Sequence, residues 1–242
     1  MTSKLNLEKA AVEFRKECGY NTDNPIRVKS LLQQLNVLTI FRKMEGTFSG
    51  MSLKVNEDRF MLINSTHSIG RQHFTIFHEL YHLYIQKDFE RIICDGPKDS
   101  KNKKEESNAD IFAANVMLPR DGILNFIPAE QLKKDKILFS TILALEQYYS
   151  CSHQAMLIRL ENLNLITQKM KDSFATDVIV EAQKYGYDTA LYEAGNENLV
   201  IGDYGVKAKR LFDEEIISKA HYLELMRELG IKFGGNENTD EY

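Results

Sequence analysis

Residues 78 to 82 read His78-Glu79-Leu80-Tyr81-His82, and three of these five side chains can do chemistry together. On a helix, positions four apart share one face, so His78 and His82 can aim both imidazoles at a single ion. Glu79 follows the first histidine and can reach a water bound to that ion. Two nitrogen ligands and a base are the parts with which zinc hydrolases make water nucleophilic at neutral pH. The flanking residues Ile76, Phe77, Leu80, Leu83, Tyr84 and Ile85 are apolar. The motif is therefore predicted on a buried helix, Ser68 to Gln86, with Ser65 and Thr66 as candidate caps.

A catalytic zinc site needs a third protein ligand besides a water. It is expected from a downstream helix, Glu105 to Met117, where Ala109, Phe112, Ala113 and Val116 mark the buried side. Glu106 is the preferred ligand. Asp110 lies one turn beyond it and can accept a hydrogen bond from a ligand histidine, fixing its tautomer. Glu105 is the alternative, with no carboxylate four residues on. His153, Tyr148 and Tyr149 are candidates to stabilise the oxyanion of an acyl-transfer transition state. His67, His73 and His221 are read as structural or exposed.

Other elements must position these groups. Leu7, Ala11, Phe14 and Cys18 predict an N-terminal helix stopped by Gly19, and Pro25 a second helix bearing Val28, Leu31, Leu32 and Leu35. Val37 to Phe41, Met51 to Val55 and Phe60 to Asn64 read as strands, the last two joined by a polar turn. A strand near Phe48 to Val55 is either an edge that pairs with an extended substrate or an ordinary sheet edge. Residues 95 to 104 read as a mobile surface loop and 121 to 136 as a linker. Helices follow at Ile137 to Tyr149 and Ser152 to Leu163, then further helical stretches near Phe174 to Lys184 and Val206 to Leu229, and a disordered acidic tail from Gly234. The expected division is a domain over residues 1–170 and a mostly helical appendage over 171–242.

A chain of 242 residues with 43% hydrophobic content can bury one sizeable core, and a net charge of −4 gives no general attraction to nucleic acid or anionic lipid. No apolar run is long enough to span a bilayer, and the start lacks a signal-peptide apolar stretch. Cys18, Cys94 and Cys151 are odd in number and scattered, as expected of reduced thiols in a cytoplasmic protein.

The segment Arg71-x-x-Phe74-Thr75-x-x-His78-Glu79-Leu80-x-His82, followed by Glu106-x-x-Ala109-Asp110-x-Phe112-Ala113-Ala114-x-x-Met117-Leu118-Pro119, resembles the ImmA/IrrE family of bacterial and phage zinc metallopeptidases. The likeness covers residues 25 to 165, from Asn24-Pro25-Ile26 through Gly50-Met51 to Ser152-x-x-Ala155-x-x-x-Arg159-Leu160. Tyr81 departs from it, since many members have Gly there. The resemblance implies a gluzincin-like α+β fold, mainly helical with a small β-sheet. It also implies cleavage of an intracellular protein, typically a helix-turn-helix repressor or antitoxin encoded nearby. A peptidase acting in the cytoplasm needs restraint, which narrow substrate choice or an activator protein bound to residues 174–242 would supply.

Two other readings stand beside this one. Residues 137 to 163 are loosely like a helix-turn-helix, so the chain could be a zinc-bound regulator that binds DNA. The second helix carries only Arg159 as a base, which weakens that reading. The fold could instead sequester a repressor without cutting it, but a pure binder has no use for Glu79. His₂Glu suits zinc, while manganese or cobalt could occupy the same ligands.

Overall fold

Leu7, Ala11 and Phe14 form the buried face of helix α1 (Lys4–Glu17), and Gly19, at φ +79°, ends it in the left-handed conformation. The computed structural model describes residues 4–87, 91–93, 100–175 and 177–231. Helix α2 (Val28–Gln34) buries Val28, Leu31 and Leu32. It starts three residues after Pro25, because Arg27 is still extended. A left-handed Asn36 (φ +50°) then turns the chain into strand β1 (Val37–Arg42), whose residues alternate between buried and half-buried.

Strands β2 (Gly50–Val55) and β3 (Asp58–Asn64) form an antiparallel hairpin, and Asn56 at φ +53° supplies the tight turn. β1 lies parallel to β3. Strand β4 (Arg91–Ile93) is antiparallel to β2 on its other side, and strand β5 (Val200–Ile201) is antiparallel to β1. The order is β4-β2-β3-β1-β5. β2 is thus an inner strand, not an edge, because β4 hydrogen-bonds along Met51 to Leu53.

The sheet supports helix α3 (Ile69–Tyr84), which carries the His-Glu-x-x-His motif and buries ten residues. Its cap is Ser68, whose Oγ accepts the Arg71 N–H. Ser65 and Thr66 do not cap it; Asn64 Oδ1 accepts from both the N–H and the hydroxyl of Thr66 and keeps that residue in the preceding turn. Helix α4 (Ser100–Met117) packs against α3 and α1 through Ala109, Phe112, Ala113 and Val116, all fully buried. Phe112 meets Phe14 and Tyr81 at ring-centroid separations of 5.5 and 5.7 Å.

Residues 100–104, expected in a loop, are the first turn of α4. Lysine is a good helix former, and a solvated first turn needs no apolar residue. Residues 95–99 lie outside the described residues, as do Cys94 and the acidic tail. Most of helix α5 (Arg120–Phe126) lies in the expected linker; Pro119, at φ −64°, takes its N-cap position without a side-chain cap bond. Helices α6 (Phe139–Tyr149) and α7 (His153–Asn162) meet at a left-handed Ser150 (φ +53°). Helices α8 (Gln168–Ser173), α9 (Val178–Lys184), α10 (Tyr204–Asp213) and α11 (Lys219–Glu228) follow. The architecture is α+β, as expected.

One close approach fixes α3 on the α6–α7 turn. A Cβ on Gly70 would stand 2.5 Å from the Ser152 backbone nitrogen and 2.7 Å from the Cys151 carbonyl carbon. Backbone cannot give way as a side-chain tip can. Gly70→Ala is expected to cost about 1–3 kcal/mol, as overpacking does. A thermal melt should show a fall of about 2–12 °C; an unchanged melting temperature would mean that the two segments are not in this contact.

Candidate metal and catalytic site

His78 and His82 lie one turn apart on α3, and Glu106 enters from the second turn of α4. His78 Nε2 is 3.2 Å from His82 Nε2 and 3.4 Å from Glu106 Oε2, and His82 Nε2 is 3.7 Å from Glu106 Oε1. Ligands around a tetrahedral zinc with bonds near 2.0–2.1 Å are separated by about 3.3 Å. The three donors have the spacing such an ion requires. Among the described residues they form the one His/Cys/Asp/Glu group whose ligand atoms converge in this way.

The tautomers agree. His78 Nδ1 lies 2.9 Å from Asp110 Oδ1, and His82 Nδ1 lies 2.5 Å from Gln86 Oε1. Both oxygens can only accept, so both Nδ1 atoms carry hydrogen and both Nε2 atoms present lone pairs in the neutral ring. Burial, foremost, holds the His82 imidazole below its ordinary 6.5, in that neutral form. Two lone pairs converging with a carboxylate make a donor set suited to a divalent cation.

Glu79 is fully buried and accepts a hydrogen bond from Ser52 Oγ on β2 at 2.7 Å. Glu105 faces elsewhere, with its Oε2 accepting from the Tyr81 hydroxyl at 2.7 Å. Burial and this carboxylate push the Tyr81 hydroxyl well above its ordinary pKa of 10. The residue that departs from the family pattern therefore engages the rival carboxylate.

His78, Glu79, Glu106 and Asp110 open on a cleft of about 1090 Å³, lined also by Thr47, Arg71, Phe74, Ile158 and Val178. His153 lines it too, yet both its ring nitrogens are engaged: Nδ1 donates to Glu146 Oε1 at 2.6 Å and Nε2 to the Phe174 carbonyl at 2.8 Å. The Tyr192 hydroxyl donates to the other Glu146 oxygen at 2.8 Å. His153 is placed as a strut of the cleft wall, not as an oxyanion donor. Tyr149 donates to the Asp23 carbonyl at 2.8 Å, and Tyr148 packs on Phe126. Neither belongs to the cleft lining. His73 Nδ1 is held by the Ser150 carbonyl at 2.8 Å, away from the ligand set.

Burial alone would lower the His153 pKa, but Glu146 and the Phe174 carbonyl outweigh it and raise it above 6.5. A raised histidine pKa stabilises the fold fully below the unfolded value and loses that contribution as pH climbs through the folded value. His153→Gln should therefore cost about 1.5–3 kcal/mol at pH 6, the range of a hydrogen bond to a charged group. Melting curves against pH should show the gap between wild type and variant closing as pH rises beyond the ordinary 6.5. A gap that widened with pH would contradict a charged His153.

Sequence reasoning missed Ser52 and Gln86. Gln86 sits four residues after His82, a spacing that could have revealed it. Nothing local points to Ser52.

The family model for the IrrE N-terminal-like peptidase domain matches residues 32–161, more than half of the chain and all of the site. The chain belongs to this family. As an IrrE-like domain it is of metallopeptidase type, and its His/His/Glu group is suited to a metal. No curated protein matches it. A solved structure of a Mycobacterium tuberculosis transcriptional regulator is similar at 16% identity with a TM-score of 0.44. That match covers 64% of this chain and 46% of the regulator, so the chain spans under half of the regulator's length.

Proposed function

We propose that this IrrE-like domain is a zinc-dependent endopeptidase that cleaves a specific intracellular protein. The substrate class is a helix-turn-helix repressor or antitoxin, of phage or other mobile-element origin. The observation that carries the reading is the convergence of His78, His82 and Glu106, with both Nδ1 atoms held by acceptors.

His78, His82 and Glu106 would hold the zinc, which when bound supplies the Lewis acidity that makes water nucleophilic near pH 7 and polarises a peptide carbonyl. Glu79 takes a proton from the attacking water onto a carboxylate oxygen and later delivers it to the departing amine nitrogen. Ser52 Oγ fixes the orientation of that carboxylate. Asp110 and Gln86 keep the two imidazoles in their Nδ1–H form. The cleft, at about 1090 Å³, is slightly larger than the usual small-molecule site of about 300–1000 Å³ and suits a polypeptide segment.

Among the described residues no helix is long and apolar enough to cross a membrane. Cys18 and Cys151 are free and buried, which supports a cytoplasmic location. A DNA-binding role for α7 is disfavoured, because Arg159 is buried and donates to the Leu118 carbonyl and to Asn115.

The test is cleavage. Zinc-loaded protein is incubated with the helix-turn-helix regulator encoded beside its own gene. A single discrete cut, lost on chelation, is expected. Tight binding without a cut, unaltered by loss of Glu79, would favour sequestration instead.

A further inference from the structure

Gln72 is completely buried in the first turn of α3, yet its amide is richly engaged. Its Nε2 donates to the His67 carbonyl at 2.7 Å and to the Gly195 carbonyl at 3.0 Å, and its Oε1 accepts from Asn196 Nδ2 at 3.0 Å. Buried amides satisfied in this way fix geometry, since breaking one bond strands a polar group. Gly195 and Asn196 lie far downstream, beyond all the helices of the matched region.

The neighbouring backbone adds to the tie. Ile69 N–H donates to the Glu193 carbonyl at 2.9 Å, and Ser68 pairs with Ala194 in an antiparallel bridge. Farther on, Phe41 N–H donates to the Leu199 carbonyl and Asn198 N–H to the Phe41 carbonyl, before β5 joins β1. At the other end, Tyr192 lines the cleft and is held by Glu146. Residues 192–201 thus run from the cleft wall, across the first turn of α3, to the sheet edge.

α3 carries two of the three metal donors, and the third comes from another helix. Working constellations are held to within about 0.5 Å. Ser52 holds α3 at Glu79, and residues 193–196 hold it at its start. A helix fixed at two separated points cannot swing about either. We propose that residues 192–201 are a positioning strap for the metal helix, fastened by Gln72 and Asn196, which keeps His78 and His82 in register with Glu106. The inference rests on the metal-binding reading of those three residues.

The experiment uses the full chain, stripped of metal, with cobalt(II) as probe. Affinity is read by chelator competition and ligand geometry by visible absorption. Asn196→Gly, which removes one half-buried amide and suits the left-handed φ of +63°, should weaken cobalt binding about tenfold, the low end of the range for groups bonded directly to a metal ligand. The absorption band should change, while the unfolding temperature of the metal-free chain moves little. Gln72→Ala should weaken binding at least as much, and the double variant no further, because both changes cut one link. If Gln72→Ala does not fold, Asn196→Gly decides alone. Wild-type affinity and spectrum in Asn196→Gly, or additive losses in the double variant, would overturn the strap. A wild-type chain that binds no cobalt would instead sink the metal reading and the strap with it.

Discussion

Glu79→Gln is expected to abolish cleavage while the metal stays bound. The change is nearly isosteric, and Ser52 Oγ can still donate, at its present 2.7 Å, to the new amide oxygen. Packing around this fully buried side chain should therefore survive. The amide cannot take a proton from water or return one to the leaving amine. General acid–base catalysis contributes about 10²–10⁴-fold, and the rate should fall by at least that much. Metal content, measured on the same samples, should equal that of wild type. Cleavage at an undiminished rate would remove Glu79 as the base. Loss of metal together with activity would mean that Glu79 acts through the ligand set.

The second large effect separates two adjacent glutamates. Glu106→Ala removes one of three converging donors and should weaken metal affinity by more than about a hundredfold, beyond the range for outer partners of ligands. Glu105→Ala should leave affinity unchanged, because that carboxylate is engaged by Tyr81. Thermal shift gives an independent readout. A ligand at 100 times its dissociation constant stabilises by about 2.7 kcal/mol, so added zinc should raise the melting temperature of wild type and of Glu105→Ala, but not of Glu106→Ala. The opposite pattern would hand the ligand role to Glu105.

The local part of the site was legible in the sequence. His78 and His82, like Glu106 and Asp110, are four residues apart, and helix periodicity alone puts each pair on one face. The sequence offered Asp110 as an acceptor for a histidine, and the structure places its Oδ1 2.9 Å from His78 Nδ1. The boundaries of the hairpin strands and of α3 were close, because alternation and apolar periodicity are strong signals there. Where the reading erred, the competing physics was local but weaker. The lysines before Glu105 hid the first turn of α4, and the polar stretch from residue 121 hid α5, which follows Pro119.

What the sequence alone determined is which groups the helix pair can bring together: two imidazoles, the Glu79 and Glu106 carboxylates, and Asp110. What only the tertiary structure decided is the company they keep. Ser52 reaches Glu79 from 27 residues away, Asn196 reaches Gln72 from 124, and the inner place of β2 depends on β4. His153, plausible as an oxyanion donor by its place in the chain, is committed at both nitrogens to Glu146 and Phe174. The reason is the range of the forces. Backbone periodicity fixes which neighbours share a face within one helix. Which faces meet is set by burying one common core, and that depends on every element at once.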